Sequence, residues 1–346
     1  MWDNWHYGGL NTIGLKGVSF LGYDAKKELR KVSVKVTYMD MQVDDTQYYI
    51  DCSRDIFEFF IEARQWTGIE INRLNSWFRN FNDAEDGEYY ACKILNCIIG
   101  YSESDISRML SEGIDRIMDK EAILPLLNQR QFSVLQSELE FAYRDKMKHT
   151  LFVPLMANGA PGESSNQMMR VLTQHFKPQI QQQFSSAIQE DYPCDVMVIV
   201  DDCVGSGDQF AEFWENASIS NGMLLREWCS KQKIKVYYLC LVAYDNTVKS
   251  LGEKYTDVRI VAIEQLTEKH KVFNKRNAVW DNEEEMNNAK RVVNELVTGK
   301  EIPVLGYKEL GFAVIIHNNI PDWSLPILYK AKNGWNLLVE RKDSND

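Results

Sequence analysis

Apolar residues change their spacing along this chain, and the changes divide it. From about Ser53 to Thr150 they recur at helical intervals. Ile71, Leu74, Phe78 and Phe81 share one face, as do Tyr90, Ile94, Ile98 and Tyr101. Ser102 and Asp105 have the spacing of a capping box, which predicts a helix with the buried stripe Ile106, Met109, Leu110 and Ile117. Earlier, Val32, Val34 and Val36 alternate with Ser33, Lys35 and Thr37, as in a half-buried strand, in a stretch punctuated by Gly8, Gly9 and Gly14. After Thr150, strand and helix signals alternate. Strands are predicted at Leu151 to Met156, Val196 to Val200, Ile234 to Tyr244, Val258 to Ile263 and Gly311 to His317. Helices are predicted near Asn166 to His175, after Gly207, and near Val248 to Tyr255. That rhythm predicts an α/β fold with a parallel sheet. The organisation read from the pattern is an N-terminal extension (1–52), a helical block (53–150) and an α/β domain (151–346).

The most informative stretch is Val196-Met-Val-Ile-Val-Asp-Asp-Cys-Val-Gly-Ser-Gly-Asp-Gln-Phe210. The apolar run at its start reads as a strand buried on both faces. Asp201 and Asp202 close it, a Gly205-Ser206-Gly207 turn follows, and Phe210, Phe213, Trp214 and Ala217 then mark one side of a helix. Ligands of open α/β sheets sit beyond the carboxyl ends of strands, beside helix N-termini that offer free amides. Paired acids there suit ribose hydroxyls, and a glycine turn suits a phosphate. The acids are expected at a solvent-facing strand end. A Walker loop is excluded because no Lys follows Gly207. A dinucleotide fingerprint fails because Phe210 stands where its third glycine belongs. A phospho-acceptor receiver also has two acids after a strand, and Asp245 closes the next apolar run, but receivers lack Gly-x-Gly directly after the acids.

Composition narrows the partners. Acids outnumber bases 50 to 39, for a net charge of -11, and strong non-specific nucleic-acid binding draws on many Lys and Arg contacts to phosphate. DNA or RNA is therefore disfavoured as the main ligand. The seven cysteines are scattered with no C-x-x-C pair, which predicts reduced thiols in a cytoplasmic protein. Met1-Trp-Asp-Asn-Trp-His lacks the features of a signal peptide, and there is no apolar run of membrane-spanning length.

The strand–turn–helix resembles the signature of the type I phosphoribosyltransferases: four apolar residues, two acids, two apolar residues, then a Thr/Ser/Gly loop opening a helix. Met197 to Val200, Asp201, Asp202, Cys203-Val204 and Gly205-Ser206-Gly207-Asp208-Gln209 take those places. The resemblance implies that Asp201 and Asp202 hold the ribose hydroxyls of phosphoribosyl pyrophosphate (PRPP), with Mg²⁺ held indirectly through the ribose-bound ligand, while Gly205 to Gln209 cradle the 5′-phosphate. The chain departs from the pattern at Cys203, at Gly205, which replaces a usual Thr or acid, and at Gln209, which replaces a usual Thr. With Gly205 there is no carboxylate for deprotonating a purine.

The C-terminal run His317-Asn318-Asn319-Ile320-Pro321-Asp322-Trp323-Ser324-Leu325-Pro326-Ile327-Leu328-Tyr329 is similar to the end of the phosphoribosyltransferase-like proteins of bacterial conflict systems (PRTase-CE). Ile320 stands for a Thr, Asp322-Trp323 for an Asn, and Tyr329 for a Trp. The helical block also resembles that family's, so the likeness covers about residues 55 to 346. It implies a Rossmann-like phosphoribosyltransferase fold, an antiviral defence role, a ribose-phosphate ligand and partner proteins of the same system.

An earlier loop, Asn158-Gly159-Ala160-Pro161-Gly162-Glu163-Ser164-Ser165, has the place of the family's pyrophosphate loop, with Asn158, Gly159, Gly162, Ser164 and Ser165 as ligand candidates. It carries no Lys, and a plain strand-to-helix turn explains it equally well. His317 and Asn318 are candidates for the rim of the same cleft. Trp66, Trp77, Tyr89 and Tyr90 read as core packing, not base-stacking groups. His270 to Arg276 read as a solvated charged loop. Three functions remain open: a phosphoribosyl-transferring enzyme, a non-catalytic nucleotide sensor, and a partner-binding scaffold.

Overall fold

The computed structural model describes residues 45–155, 163–176, 181–317 and 319–341. The alternating valines and the extension through residue 44 lie outside the described residues. Helices α1 (Asp45–Glu62), α2 (Ile71–Phe78) and α3 (Gly87–Leu95) lead into a short strand β1 (Ile99–Tyr101). Next come α4 (Glu103–Met118), α5 (Leu124–Gln129) and α6 (Gln136–Lys148). The α/β region follows: β2 (Thr150–Pro154), α7 (Glu163–Phe176), β3 (Gln181–Gln182), β4 (Val196–Val204), α8 (Asp208–Asn216), α9 (Leu225–Gln232), β5 (Lys235–Tyr244), α10 (Asp245–Lys254) and β6 (Val258–Leu266). Helix α11 (Glu283–Val297) and strand β7 (Val314–Ile316) complete it.

The main sheet is parallel in every pairing, in the order β3-β2-β4-β5-β6. The chain adds β3 on one side of β2 and then crosses to add β4 on the other. The strand order therefore reverses between β2 and β4, the switch point at which open α/β sheets form their ligand crevice. β2 reaches its end where Pro154 pairs with Val200, whereas β4 runs on to Val204. The stretch from Asp201 to Val204 thus projects past its β2 neighbour.

Both sheet faces are covered. Val196, Val198 and Val200 face α4 and α7 through Ile106, Leu110, Ile114, Met168 and Leu172. Met197 and Ile199 face α8 and α9 through Phe210, Phe213, Trp214 and Trp228. This explains why β4 reads as an unbroken apolar run: neither face meets water. α4 lies close to the sheet because Gly113 has no side chain; a Cβ there would sit 2.4 Å from Leu239.

A third core joins α1 to α3 with α11 and residues 313–339, and it takes in Trp66 and Trp77, which are packing residues. Helical stretch and C-terminal stretch therefore share one interior. β1 pairs in parallel with β7, in register from Ile99 with Val314 to Tyr101 with Ile316, as a separate two-stranded sheet. Two expectations change here. α3 ends at Leu95, so Ile98 and Tyr101 do not continue its face, and the late strand joins β1 instead of the main sheet. Among the described residues no helix is long and apolar enough to cross a membrane, and all seven cysteines are free thiols.

The Ser102 capping box is present, with the Asp105 amide donating to the Ser102 hydroxyl at 3.3 Å and the Ser102 amide donating to the Asp105 carboxylate at 2.9 Å. Ser102→Ala is expected to lower unfolding stability by about 1 kcal/mol, read as a lower urea midpoint with an unchanged slope.

Candidate functional site

β4 carries Asp201 and Asp202 within the strand, not at its close, since pairing with β5 continues through Cys203–Val242 and Val204–Ala243. Both acids are buried, Asp201 at 4% and Asp202 at 7% exposure, which corrects the expectation of a solvent-facing pair. The strand's two-residue alternation also slips here. Leu241 and Val242, neighbours in β5, pack into the same layer, as does Cys203 opposite Val242. The amides of Asp202 and Cys203 donate to the carboxylates just before them, Asp201 at 3.0 Å and Asp202 at 2.9 Å.

Asp201 lies on the α8 face. The Tyr238 hydroxyl donates to it at 2.7 Å, and the Tyr238 ring stacks on Phe210 of α8 with centroids 4.2 Å apart. Burial pushes the Asp201 carboxyl well above the usual range, and the Asp202 charge adds to this, while the Tyr238 hydroxyl pulls the other way. Desolvation is the largest of these effects, so burial favours the protonated form of Asp201.

The loop after β4 has the predicted shape. Gly207 adopts φ 83°, a left-handed conformation suited to glycine, and caps α8 at its N-terminus. A Cβ on Gly207 would also meet Thr247 at 2.9 Å, and the Thr247 hydroxyl donates to the Gly205 carbonyl, so the loop is seated on α10. Ser206 donates to the Asp208 carboxylate at 2.9 Å. Gln209 is exposed on the first turn of α8.

Over this loop lies a segment that sequence reasoning did not place there. A Cβ on Gly205 would sit 2.4 Å from the Trp323 indole, which is 4% exposed and meets Phe312 edge-on at 5.4 Å. Asp208 also accepts from the Tyr307 hydroxyl at 3.0 Å and pairs with Lys308 at 2.7 Å. The Lys308 ammonium holds the Asp208 carboxyl below its ordinary value. Tyr238, Trp323, Tyr307 and Lys308 were missed because each reaches the loop from a distant part of the chain. One signal was available for Trp323: Gly205 and Trp323 are both departures from the motifs, one losing a side chain and the other gaining bulk.

The remaining candidates separate. Asn158, Gly159, Gly162 and Asn318 lie outside the described residues. Ser164 and Ser165 belong to the first turn of α7, not to a loop. That helix follows β2, the strand next to β4 at the switch point. His317 takes φ 55° at the end of β7; its amide donates to the Tyr101 carbonyl at 2.7 Å and its carbonyl accepts from the Thr67 hydroxyl. It is thus fixed to β1 and the helical stretch, on a different sheet from Asp201 and Asp202. Among the described residues no group of three or more His, Cys, Asp or Glu is arranged to hold a metal ion.

A profile of the PRTase-CE family matches residues 74–341, spanning α4, the parallel sheet and the segment over the loop. The chain belongs to that family. Among solved structures it is similar to orotate phosphoribosyltransferase from Aeropyrum pernix, at 18% identity and TM-score 0.25 over 35% of this chain and 61% of that one. It is also similar to the AQ2163 protein from Aquifex aeolicus, at 11% identity and TM-score 0.25 over 66% and 87%. The chain thus spans about three fifths of the orotate enzyme's length. No curated protein matches it. It is a phosphoribosyltransferase-like protein of PRTase-CE type.

Two outcomes follow for this PRTase-CE site. Gly205 is not in the left-handed region, so its backbone accepts a side chain, and the nearest obstacle to one is the Trp323 indole. Gly205→Thr alone is expected to cost about 1–3 kcal/mol from overpacking, and Trp323→Asn alone to leave a cavity. The double variant should be more stable than the sum of the two predicts by about 0.5–3 kcal/mol, measured by chemical denaturation; strict additivity would refute the contact.

The second outcome concerns pH. The folded-state carboxyl of Asp201 titrates above its unfolded value, so its contribution to stability is greatest below about pH 4 and is lost as pH rises toward the folded value. Asp201→Asn keeps an acceptor for Tyr238 and removes that titration. It should gain Tm relative to wild type as pH is raised from 4 to 8. Parallel Tm profiles would mean that Asp201 is not held protonated.

Proposed function

We propose that this PRTase-CE protein binds a ribose 5-phosphate compound, PRPP or a nucleoside monophosphate, at the β4–α8 loop. We read it as a sensor or regulator within a prokaryotic anti-phage system, not as a phosphoribosyl transferase. The observation that carries this reading is the burial of Asp201 under Tyr238, which pushes its carboxyl upward, at a strand–loop–helix on the switch point of a parallel sheet. The loop supplies what a phosphate needs: a left-handed glycine, the Ser206 hydroxyl and the first amides of α8. Transfer through an oxocarbenium-like transition state needs preorganised negative charge at the ribose. Burial of Asp201 disfavours that charge, and Gly205 offers no carboxylate where some relatives of the fold carry a purine base.

Asp202 is the acid left to meet ribose hydroxyls, and the Cys203 amide orients it. The donor set here fits a direct magnesium site poorly, since Asp201 is buried, with its charged form disfavoured, and is bonded to Tyr238. In this reading Mg²⁺ arrives on the pyrophosphate of the ligand. Partner proteins of the same defence system would read the bound state through the shared core of α1 to α3, α11 and the C-terminal stretch.

Calorimetry with PRPP or AMP plus Mg²⁺ is expected to show binding, and saturation at a hundredfold excess over Kd should stabilise the fold by about 2.7 kcal/mol. No pyrophosphate should be released from PRPP with any base. Release that disappears in the Asp201→Asn, Asp202→Asn double variant would reject the sensor in favour of an enzyme. No heat from any ribose 5-phosphate compound at millimolar concentration would sink the ligand assignment.

A further inference from the structure

We propose that residues Gly306 to Glu309, together with Trp323, form an autoinhibitory strap across the β4–α8 loop, latched by Lys308 on Asp208, which lifts before a ligand enters. The proposal rests on the ribose-phosphate reading of that loop. Asp208 is already an anion at the start of α8, and its carboxylate gathers the Ser206 hydroxyl, the Tyr307 hydroxyl and the Lys308 ammonium. These are the partners a phosphate would take. An incoming phosphate meets a negative charge in its place and must displace it, and displacement frees Lys308.

The strap and Trp323 are one mechanical piece. A Cβ on Gly306 would lie 2.3 Å from the Ser324 carbonyl oxygen and 2.7 Å from that of Asp322, so the two backbones lie directly against each other. The Tyr307 amide donates to the Asp322 carbonyl at 2.8 Å, and the Ser324 hydroxyl accepts from the Val314 amide at 3.1 Å. Lifting Lys308 therefore pulls on the stretch that holds the indole over Gly205. Lys308 at φ 50° and Glu309 at φ 56° are consecutive non-glycine residues in the left-handed region, which L-residues adopt reluctantly. The latch is also exposed, with side-chain exposures of 53% for Lys308 and 47% for Asp208. An exposed ion pair shifts an equilibrium by roughly fivefold at most. The latch alone is weak, and the buried indole of Trp323 keeps the strap closed by default.

Lys308→Met in the full chain, with Tyr307→Phe and Asp208→Asn as companions, tests this by hydrogen exchange and calorimetry. Without ligand, Lys308→Met should speed amide exchange at residues 205–211 and 306–310 while leaving β5 and α4 unchanged. Its affinity for PRPP should rise, by up to roughly fivefold, and Asp208→Asn should move the same way. Unchanged exchange at both segments overturns the strap. Faster exchange with weaker PRPP binding also overturns it, because Lys308 would then be a ligand contact and not a latch. Faster exchange with no binding of any ribose phosphate by any of the chains keeps the strap and rejects the ligand assignment instead.

Discussion

A missing Cβ at Gly205 governs this site. Without it, the indole of Trp323 lies flat against the loop that in related motifs carries a threonine or an acid. The indole in turn packs on Phe312, and Ser324 beside it bonds to Val314 of β7. β7 pairs with β1 at the end of the helical stretch. One absent side chain thus lets the C-terminal segment close over the switch point and connects that crevice, through a second small sheet, to the core shared by α1 to α3 and α11. The two departures from the motifs are one feature. A β-carbon at position 205 and an indole at 323 exclude each other, so neither residue can be understood alone.

The electrostatics follow from the same closure. Two adjacent carboxylates in a crevice open to water stay ionised at modest cost. Covered on both faces, each disfavours the other's charge, and burial raises the Asp201 carboxyl even though it accepts two hydrogen bonds. Asp201 has one phenolic donor and one backbone amide, set among Tyr238, Phe210 and Cys240. Glu121 shows the contrast. It is buried as well, but Lys235, Arg259 and the Tyr237 hydroxyl surround it, and those donors and charges lower its carboxyl despite desolvation. Glu121 has two cationic partners, and among the described residues Asp201 has only neutral donors.

What was legible in the sequence is what is local. The buried apolar run of β4, the glycine turn, the apolar side of α8 and the Ser102 capping box each depend on residues within a few positions of one another. The parallel alternation after Thr150 was equally readable. The end of β4 was not: acids are rare in strands, so Asp201 and Asp202 looked like a terminus when pairing with β5 carries the strand past them. Tyr101 kept helical spacing with Tyr90 and Ile94, yet pairing with Ile316 makes it a strand, and nothing near it in sequence announces that partner. His317 follows β7, whose pairing with β1 depends on residues more than two hundred positions away. The cover of Tyr307, Lys308 and Trp323 is likewise a product of tertiary packing, with Gly205 as its only trace in the motif.

A catalyst and a switch make opposite demands on such a site. A catalyst gains from groups already charged and aimed, because reorganisation at each turnover subtracts from rate. Here a ligand must displace Asp208, part the indole from Gly205 and either ionise Asp201 or do without it. Each step lowers apparent affinity by the fraction of chains that are open. On the reading proposed above, the same steps would make the bound state structurally distinct from the free one, since filling the loop would move the strap. A ligand shifts an equilibrium only by its differential affinity for the two states, and a latch made of one exposed ion pair adds little to the cost of opening. On the proposed reading, the arrangement of Asp208, Lys308, Trp323 and Gly205 suits reporting a ligand better than consuming one.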